Sequence, residues 1–317
     1  MSMKWLLHFL QRSYAGFDRS IQWLGPNAVS CTFCGQMIRE GSSSSRNGLP
    51  SELPKSFIRS VCHNCLNDIP WLLRPKCRIC GRGIICGDCA RRTNAYFVAN
   101  RSAVHYTSEM REWLAQYKYR GNEQLEPLLA EMMVPAYHAV TKLAAARIAL
   151  QHPSLHNSPK SSTASMDEFR WDAVTYVPVS SERAEERGFN QAERFAERIA
   201  RQFQIPLVNL LYRDRHSEKQ SFQSRSERMR NTQRLFRALP EGLAHLSQLA
   251  AEPSAGERTA SLQSGNISEA RQRRRNRQIL LIDDIYTTGS TIQSCSESIH
   301  RNAPFPLDIY ALTWARS

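Results

Sequence analysis

Two adjacent carboxylates, Asp283 and Asp284, follow the aliphatic run Ile279-Leu280-Leu281-Ile282 and precede Ile285-Tyr286-Thr287-Thr288-Gly289-Ser290-Thr291. Paired acids accept hydrogen bonds from two vicinal hydroxyls, as on a ribose, or hold a hard divalent cation such as Mg²⁺. Thr287, Thr288, Ser290 and Thr291 place four hydroxyls around one glycine, and the residues after them have helical character. The free N–H groups and positive end of that helix would converge with the hydroxyls on one anion, a phosphate. A simpler alternative is that the acids end a strand for solubility and that one hydroxyl caps the helix, but a cap needs only one of the four.

Eight cysteines fall in four Cys-x-x-Cys pairs: Cys31 with Cys34, Cys62 with Cys65, Cys77 with Cys80, and Cys86 with Cys89. Each pair presents two thiolates, so two pairs complete one tetrahedron and four pairs hold two structural Zn²⁺. With no signal-peptide pattern ahead of them, these spacings suit metal in a reducing cytoplasm better than disulfides. Consecutive pairing would give two zinc ribbons, whereas an interleaved cross-brace would join the first pair to the third. Spacing leaves both open. His63 reads as a bystander and Cys295 as an ordinary core thiol.

The 42 Lys and Arg against 29 Asp and Glu give a formal charge of +13. Two loaded four-thiolate sites would lower it to about +9, which still points to polyanionic partners. No apolar run approaches the length of a membrane span, so a soluble cytoplasmic protein is expected.

Elements must position these groups. The run 279–282 reads as a strand buried on both faces, and Val174-Thr175-Tyr176-Val177-Pro178-Val179-Ser180 as a second one. A polar loop with Arg183, Arg187, Gly188, Phe189, Asn190 and Gln191 follows the second strand and leads into a helix through Ala200. This order predicts a parallel α/β sheet flanked by helices, with both loops meeting beyond the carboxyl ends of the strands. There Arg183 and Arg187 would face a diphosphate, with Asn190 and Gln191 as amide donors, unless the segment only starts a helix.

The chain divides into an amphipathic helix at 1–26, a cysteine module at 27–95 and an α/β domain at 96–317, with polar insertions near 151–166 and 240–278. A further polar insertion is expected at 41–56, and one long helix at 128–150. Because the last Cys-x-x-Cys pair precedes the α/β domain, that domain is expected to fold without the module. Tyr117-Lys118-Tyr119-Arg120-Gly121 reads equally as a helix C-terminus and as a surface that stacks bases and neutralises phosphates. The tract 213–237 holds eight Lys or Arg against three Asp or Glu and has the polarity of a flap over an anionic substrate. A second arginine run lies at 271–277.

The stretch from Asp283 to Thr291 resembles the ribose-phosphate loop of type I phosphoribosyltransferases, with Tyr286 where an aliphatic residue is usual. That resemblance implies a site for 5-phosphoribosyl 1-diphosphate with Mg²⁺. Asp283 and Asp284 would lie on the ribose, and Thr287, Thr288, Gly289, Ser290 and Thr291 around the 5′-phosphate. Together with the four cysteine pairs, Lys118-Tyr119-Arg120-Gly121, Val177-Pro178-Val179-Ser180, Arg187-Gly188-Phe189-Asn190-Gln191 and Gln220…Arg228…Asn231…Phe236, it is similar to the ComF family of bacterial DNA uptake. The resemblance implies a zinc module on a phosphoribosyltransferase-type domain. It also implies single-stranded DNA as a partner, contacted through Lys118, Arg120 and Arg228, and other competence proteins of helicase type. Two functions fit: a phosphoribosyltransferase, or a non-catalytic DNA-binding adaptor or sensor that keeps the sugar-phosphate pocket.

Overall fold

The computed structural model describes residues 29–38, 48–92, 95–151, 169–214, 235–249 and 276–317. The helix expected at 1–26, residues 41–47 of the insertion at 41–56, residues 152–166 of that at 151–166, Arg228 with the rest of 215–234, and residues 250–275 of the insertion at 240–278, with the arginines at 271–275, lie outside the described residues.

Six strands are found among the described residues: β1 (Ala99–His105), β2 (Ala173–Tyr176), β3 (Leu211–Arg213), β4 (Phe236–Ala238), β5 (Arg277–Tyr286) and β6 (Leu307–Arg316). Four of them form one parallel sheet in the order β1-β6-β5-β2, and β3 with β4 forms a separate antiparallel hairpin. β5 is longer than its aliphatic run. It continues through the acid pair to Tyr286, because β6 extends beside it and pairs Asp283 with Thr313, Ile285 with Ala315 and Tyr286 with Arg316. β2 is shorter than expected: one further bond, from Val177 N–H to the Ile282 carbonyl, precedes Pro178, which has no N–H to continue the ladder.

Alternation along β5 divides the interior in two. Leu280 and Ile282, with Tyr310, Leu312 and Trp314 of β6, share a core with helices α4 (Ser108–Tyr119), α5 (Glu126–Glu131), α6 (Val134–Gln151) and α8 (Gln191–Phe203). Ile279 and Leu281, with Ile309 and Ala311, share the other core with α9 (Pro240–Leu249), α10 (Ser290–Asn302) and the hairpin. The helix expected at 128–150 is split into α5 and α6. Pro135 cannot donate, and its ring would collide with the Glu131 carbonyl, where α5 ends. The insertion expected at 240–278 begins instead as α9, whose Leu243 and Leu246 are buried.

The cysteine module packs into both cores of the α/β domain. Cys31, Cys62 and Cys65, with Phe57 of α1 (Lys55–Ser60) and Leu66 of α2 (His63–Asn67), belong to the first core, where Phe33 stacks on Trp113 at 3.7 Å between ring centroids. Cys77, Cys80, Cys86 and Cys89, the last on α3 (Gly87–Ala90), belong to the second. The module also closes the open edge of β1. His105 N–H donates to the Pro70 carbonyl, Leu72 N–H to Ala103 and Asn100 N–H to Ile79. Among the described residues no helix is long and apolar enough to cross a membrane.

Because both cores run through the module, the intact protein should unfold in one calorimetric transition, and metal chelation should lower that transition as a whole. Residues 96–317 expressed alone should aggregate, or melt at a clearly lower temperature. Two separate transitions, with the isolated domain as stable as in the full chain, would contradict the shared cores.

Candidate functional site

The acid pair lies at the carboxyl edge of the central strand, next to the loop that follows β2. Strict alternation from Ile279 would send Ile285 to the second core and Tyr286 to the first. Instead Ile285 packs on the first core and Tyr286 is buried in the second. The alternation slips by one step between Ile282 and Ile285, at the two acids, so they need not point to opposite faces. The Asp284 N–H donates to Asp283 Oδ1 at 2.9 Å. Burial, and then the neighbouring Asp284 charge, hold the Asp283 carboxyl well above the usual carboxylate range, against the opposing Asp284 amide and Lys118 ammonium.

Lys118, at the last turn of α4, ion-pairs with Asp284. The lysine side chain is only 9% exposed, so the cation faces the acid pair rather than the outer surface. Arg120 parts from it and pairs with Glu112 on the exposed side of α4, at 2.5 Å. Tyr117 is fully buried between Phe189 and Phe195, as a core residue, while Tyr119 is exposed. The sequence left Lys118 open between a helix C-terminus and a phosphate-neutralising surface, and its approach to Asp284 was not foreseen, since the two distant segments carry no local signal of it.

After β5, Thr287 and Thr288 are exposed, and Gly289 opens α10 with φ +78°. A Cβ on Gly289 would overlap the Tyr286 hydroxyl beneath it, so glycine is required there on both counts. Thr288 Oγ1 donates to Ser290 Oγ at 3.1 Å and accepts the Ser290 N–H. Later first-turn amides of α10 have no intrahelical acceptor, which leaves donors for an anion.

The segment after β2 is more ordered than a polar loop. Ser180 caps the helix α7 (Ser181–Arg187) by accepting the Arg183 N–H, and Gly188 ends it in the left-handed region. Arg183 is exposed. Arg187 donates to Tyr119 Oη at 2.6 Å and to Gln191 Oε1 at 2.8 Å, with its guanidinium over the Tyr119 ring. Asn190 is the cap of α8, accepting from Ala192 N–H and donating to the Val177 carbonyl. The amides expected to serve a ligand therefore have structural partners already.

The cysteines resolve into two groups by consecutive pairing: Cys31, Cys34, Cys62 and Cys65, then Cys77, Cys80, Cys86 and Cys89. Within each group all four sulfurs lie within 4.8 Å of one another, and Cys34 Sγ is 3.5 Å from Cys62 Sγ. A tetrahedron with Zn–S bonds of about 2.3 Å has edges of about 3.8 Å, so each group could bind one zinc ion. Burial and neighbouring cysteines push the Cys65 and Cys89 thiols up, whereas, against the same burial, hydrogen bonds from backbone amides and neighbouring thiols pull Cys31, Cys77 and Cys86 down. The second group also adjoins two buried guanidiniums, Arg101 and Arg316, which suits the net charge of about −2 on a four-thiolate zinc centre. The acid pair offers oxygen donors suited to Mg²⁺, with Lys118 as the competing cation. A cavity of about 670 Å³ between the β3–β4 hairpin and α10 is lined by Tyr212, Phe236, Arg237, Glu297 and Arg301; Phe236 and Arg237 belong to the basic tract 213–237, while the acid pair and the hydroxyl-rich turn do not line it.

The raised Asp283 carboxyl has a stability consequence. The folded state holds this proton more tightly than the unfolded chain, so its contribution is fully present below the unfolded carboxylate range and is lost as pH rises through the folded value. Asp283→Asn keeps the shape and removes that loss. The ligand-free variant should melt about 3 °C or more above the parent at pH 8, with the two converging near pH 4. A variant that melts below the parent at pH 8 would contradict the assignment.

No family model matches the chain. The chain is nonetheless ComFC-like, with two four-cysteine clusters in its N-terminal region and similarity to the competence protein ComFC of Bacillus subtilis (strain 168), 26% identical over 241 residues that cover 73% of this chain and 74% of that protein.

Proposed function

We propose that the protein binds 5-phosphoribosyl 1-diphosphate with Mg²⁺ in a phosphoribosyltransferase-type domain and handles single-stranded DNA during competence. One observation carries the reading: an acid pair at the carboxyl edge of the central strand runs directly into a hydroxyl-rich turn, with Gly289 at the N-terminus of the 13-residue helix α10. In this reading Asp283 and Asp284 take the ribose hydroxyls and the metal. Thr287, Thr288, Ser290 and Thr291 with the α10 amides take the 5′-phosphate, and Arg183 meets the diphosphate. Arg187 joins Arg183 only by leaving Tyr119, which makes it a candidate to move on binding. Mg²⁺ bound there would neutralise the diphosphate. Lys118, freed from Asp284 by the incoming metal, becomes available to a phosphate.

The competence role draws support from the relative's name and from charge. Over residues 74–92 the second cysteine group carries Arg74, Lys76, Arg78, Arg82, Arg91 and Arg92 against Asp88. A structural cluster with such a surface offers phosphate contacts without sequence preference.

Phosphoribosyl diphosphate with Mg²⁺, at about a hundred times its dissociation constant, should raise the melting temperature by about 5–10 °C. The double variant Asp283→Asn, Asp284→Asn should lose that shift. A shift that survives in the double variant, or none in the parent, would sink the reading. Diphosphate release over time, with single-stranded DNA and a panel of nucleobases as acceptors, separates a transferase from a binding module, with the double variant as blank.

Single-stranded DNA affinity should fall by on the order of a hundredfold or more between about 50 and 200 mM salt. Arg120→Ala together with Arg228→Ala should flatten that slope. Affinity that ignores salt would remove DNA from the proposal.

A further inference from the structure

The backbone of the turn at 286–289 is gripped from behind by two arginines that belong to the second cysteine group's surroundings. Arg316 Nη1 donates to the carbonyls of Tyr286 at 3.1 Å, Thr287 at 2.6 Å and Ser317 at 2.6 Å. Its Nη2 donates to Cys80 Sγ at 3.7 Å. The guanidinium lies 4.6 Å from the centroid of the Tyr286 ring and is 4% exposed. Arg92, three residues after Cys89, donates from Nη2 to the Thr288 carbonyl at 3.0 Å. Three successive carbonyls of the turn are thus held on one side. In a planar trans peptide the N–H points opposite its carbonyl, so holding the carbonyls aims the following amides away from the cysteines.

The other group has no such link. Cys31, Cys34, Cys62 and Cys65 adjoin the first core through Phe33 and Trp113, on the opposite side of the sheet from Tyr286. Among the described residues no Asp or Glu side chain pairs with Arg316, and a sulfur of the second group is among its few acceptors. A buried guanidinium is costly unless nearby acceptors and negative centres compensate it, and besides the main-chain oxygens, four thiolates around one Zn²⁺ would supply about two negative charges at that place.

We propose that the second cysteine group is a working part of the anion-binding turn: its zinc-loaded state orders residues 286–291 through Arg316 and Arg92, whereas the first group serves only the fold. Arg316 is a positioning residue in this arrangement. By reciprocity, a phosphate ligand that fits the ordered turn slows zinc loss from the second group. Only this ligand half rests on the phosphate reading of the turn given above.

The test uses full-length, zinc-loaded protein without ligand, followed by hydrogen exchange of the peptides that cover 283–295. Arg316→Met keeps every cysteine and should retain two zinc ions while the amides of 286–292 exchange about tenfold faster. Cys86→Ser should lose one zinc and show the same loosening of the turn. Cys34→Ser should also lose one zinc but loosen α4 near Trp113 and leave the turn as in the parent. Unchanged exchange at 286–292 in Arg316→Met overturns the proposal, even if Cys86→Ser fails to fold. So does equal loosening of the turn by Cys86→Ser and Cys34→Ser. The ligand half is read from zinc transfer to a chelator, with and without phosphoribosyl diphosphate and Mg²⁺. Ligand that raises the melting temperature without slowing release of one of the two zinc ions overturns this half. Ligand that fails to raise it removes the phosphate reading, while the exchange results still decide the coupling.

Discussion

β5 is buried on both faces and paired on both edges, and the rest of the protein is arranged around that constraint. Its Ile279, Leu280, Leu281 and Ile282 are all fully buried. At about 1.5–3 kcal/mol for each side chain removed from water, this strand can be covered only by apolar layers on both sides. Helices supply most of each layer. The two cysteine groups complete them, one on each face, and the segment at 70–81 closes the β1 edge. A module that looks like an appendage in sequence is therefore part of both cores.

The same strand carries the acids to the place where the sheet opens. Burial there is expensive for charge, and the structure meets the cost unevenly. Asp283 is held above the usual carboxylate range by burial and by its neighbour, and Asp284 is neutralised by Lys118. At the acid pair the Lys118 ammonium meets one carboxylate, and burial disfavours the charged form of the other. Two adjacent carboxylates at one point of the sheet thus impose a single electrostatic requirement, their neutralisation.

Tyr286 departs from the aliphatic residue usual at its place in related loops, and its surroundings explain how it is accommodated. The ring lies beneath Gly289, beside Phe97 and under the Arg316 guanidinium. Burial and the nearby cysteines Cys80 and Cys89 push its hydroxyl up, so it stays a neutral phenol in the second core. It fills the space between the turn and the cysteine group, where a shorter aliphatic side chain would leave the arginine without its aromatic face.

Local patterns in the chain determined much of this. The aliphatic run before Asp283 marked a buried strand, the hydroxyl-rich turn with Gly289 marked the start of a helix, and four Cys-x-x-Cys spacings marked two four-cysteine groups. These signals survive because strand alternation, helix capping and knuckle geometry act over a few residues. Tertiary structure alone decided which cysteine pairs meet, that Lys118 reaches Asp284, and that Arg187 and Asn190 direct donors to Tyr119 and Val177. It also decided that Arg316 and Arg92 grip the turn. Each of these joins segments separated in the chain, and nothing in a local pattern encodes which distant side chain the packing of two cores will bring to the same point.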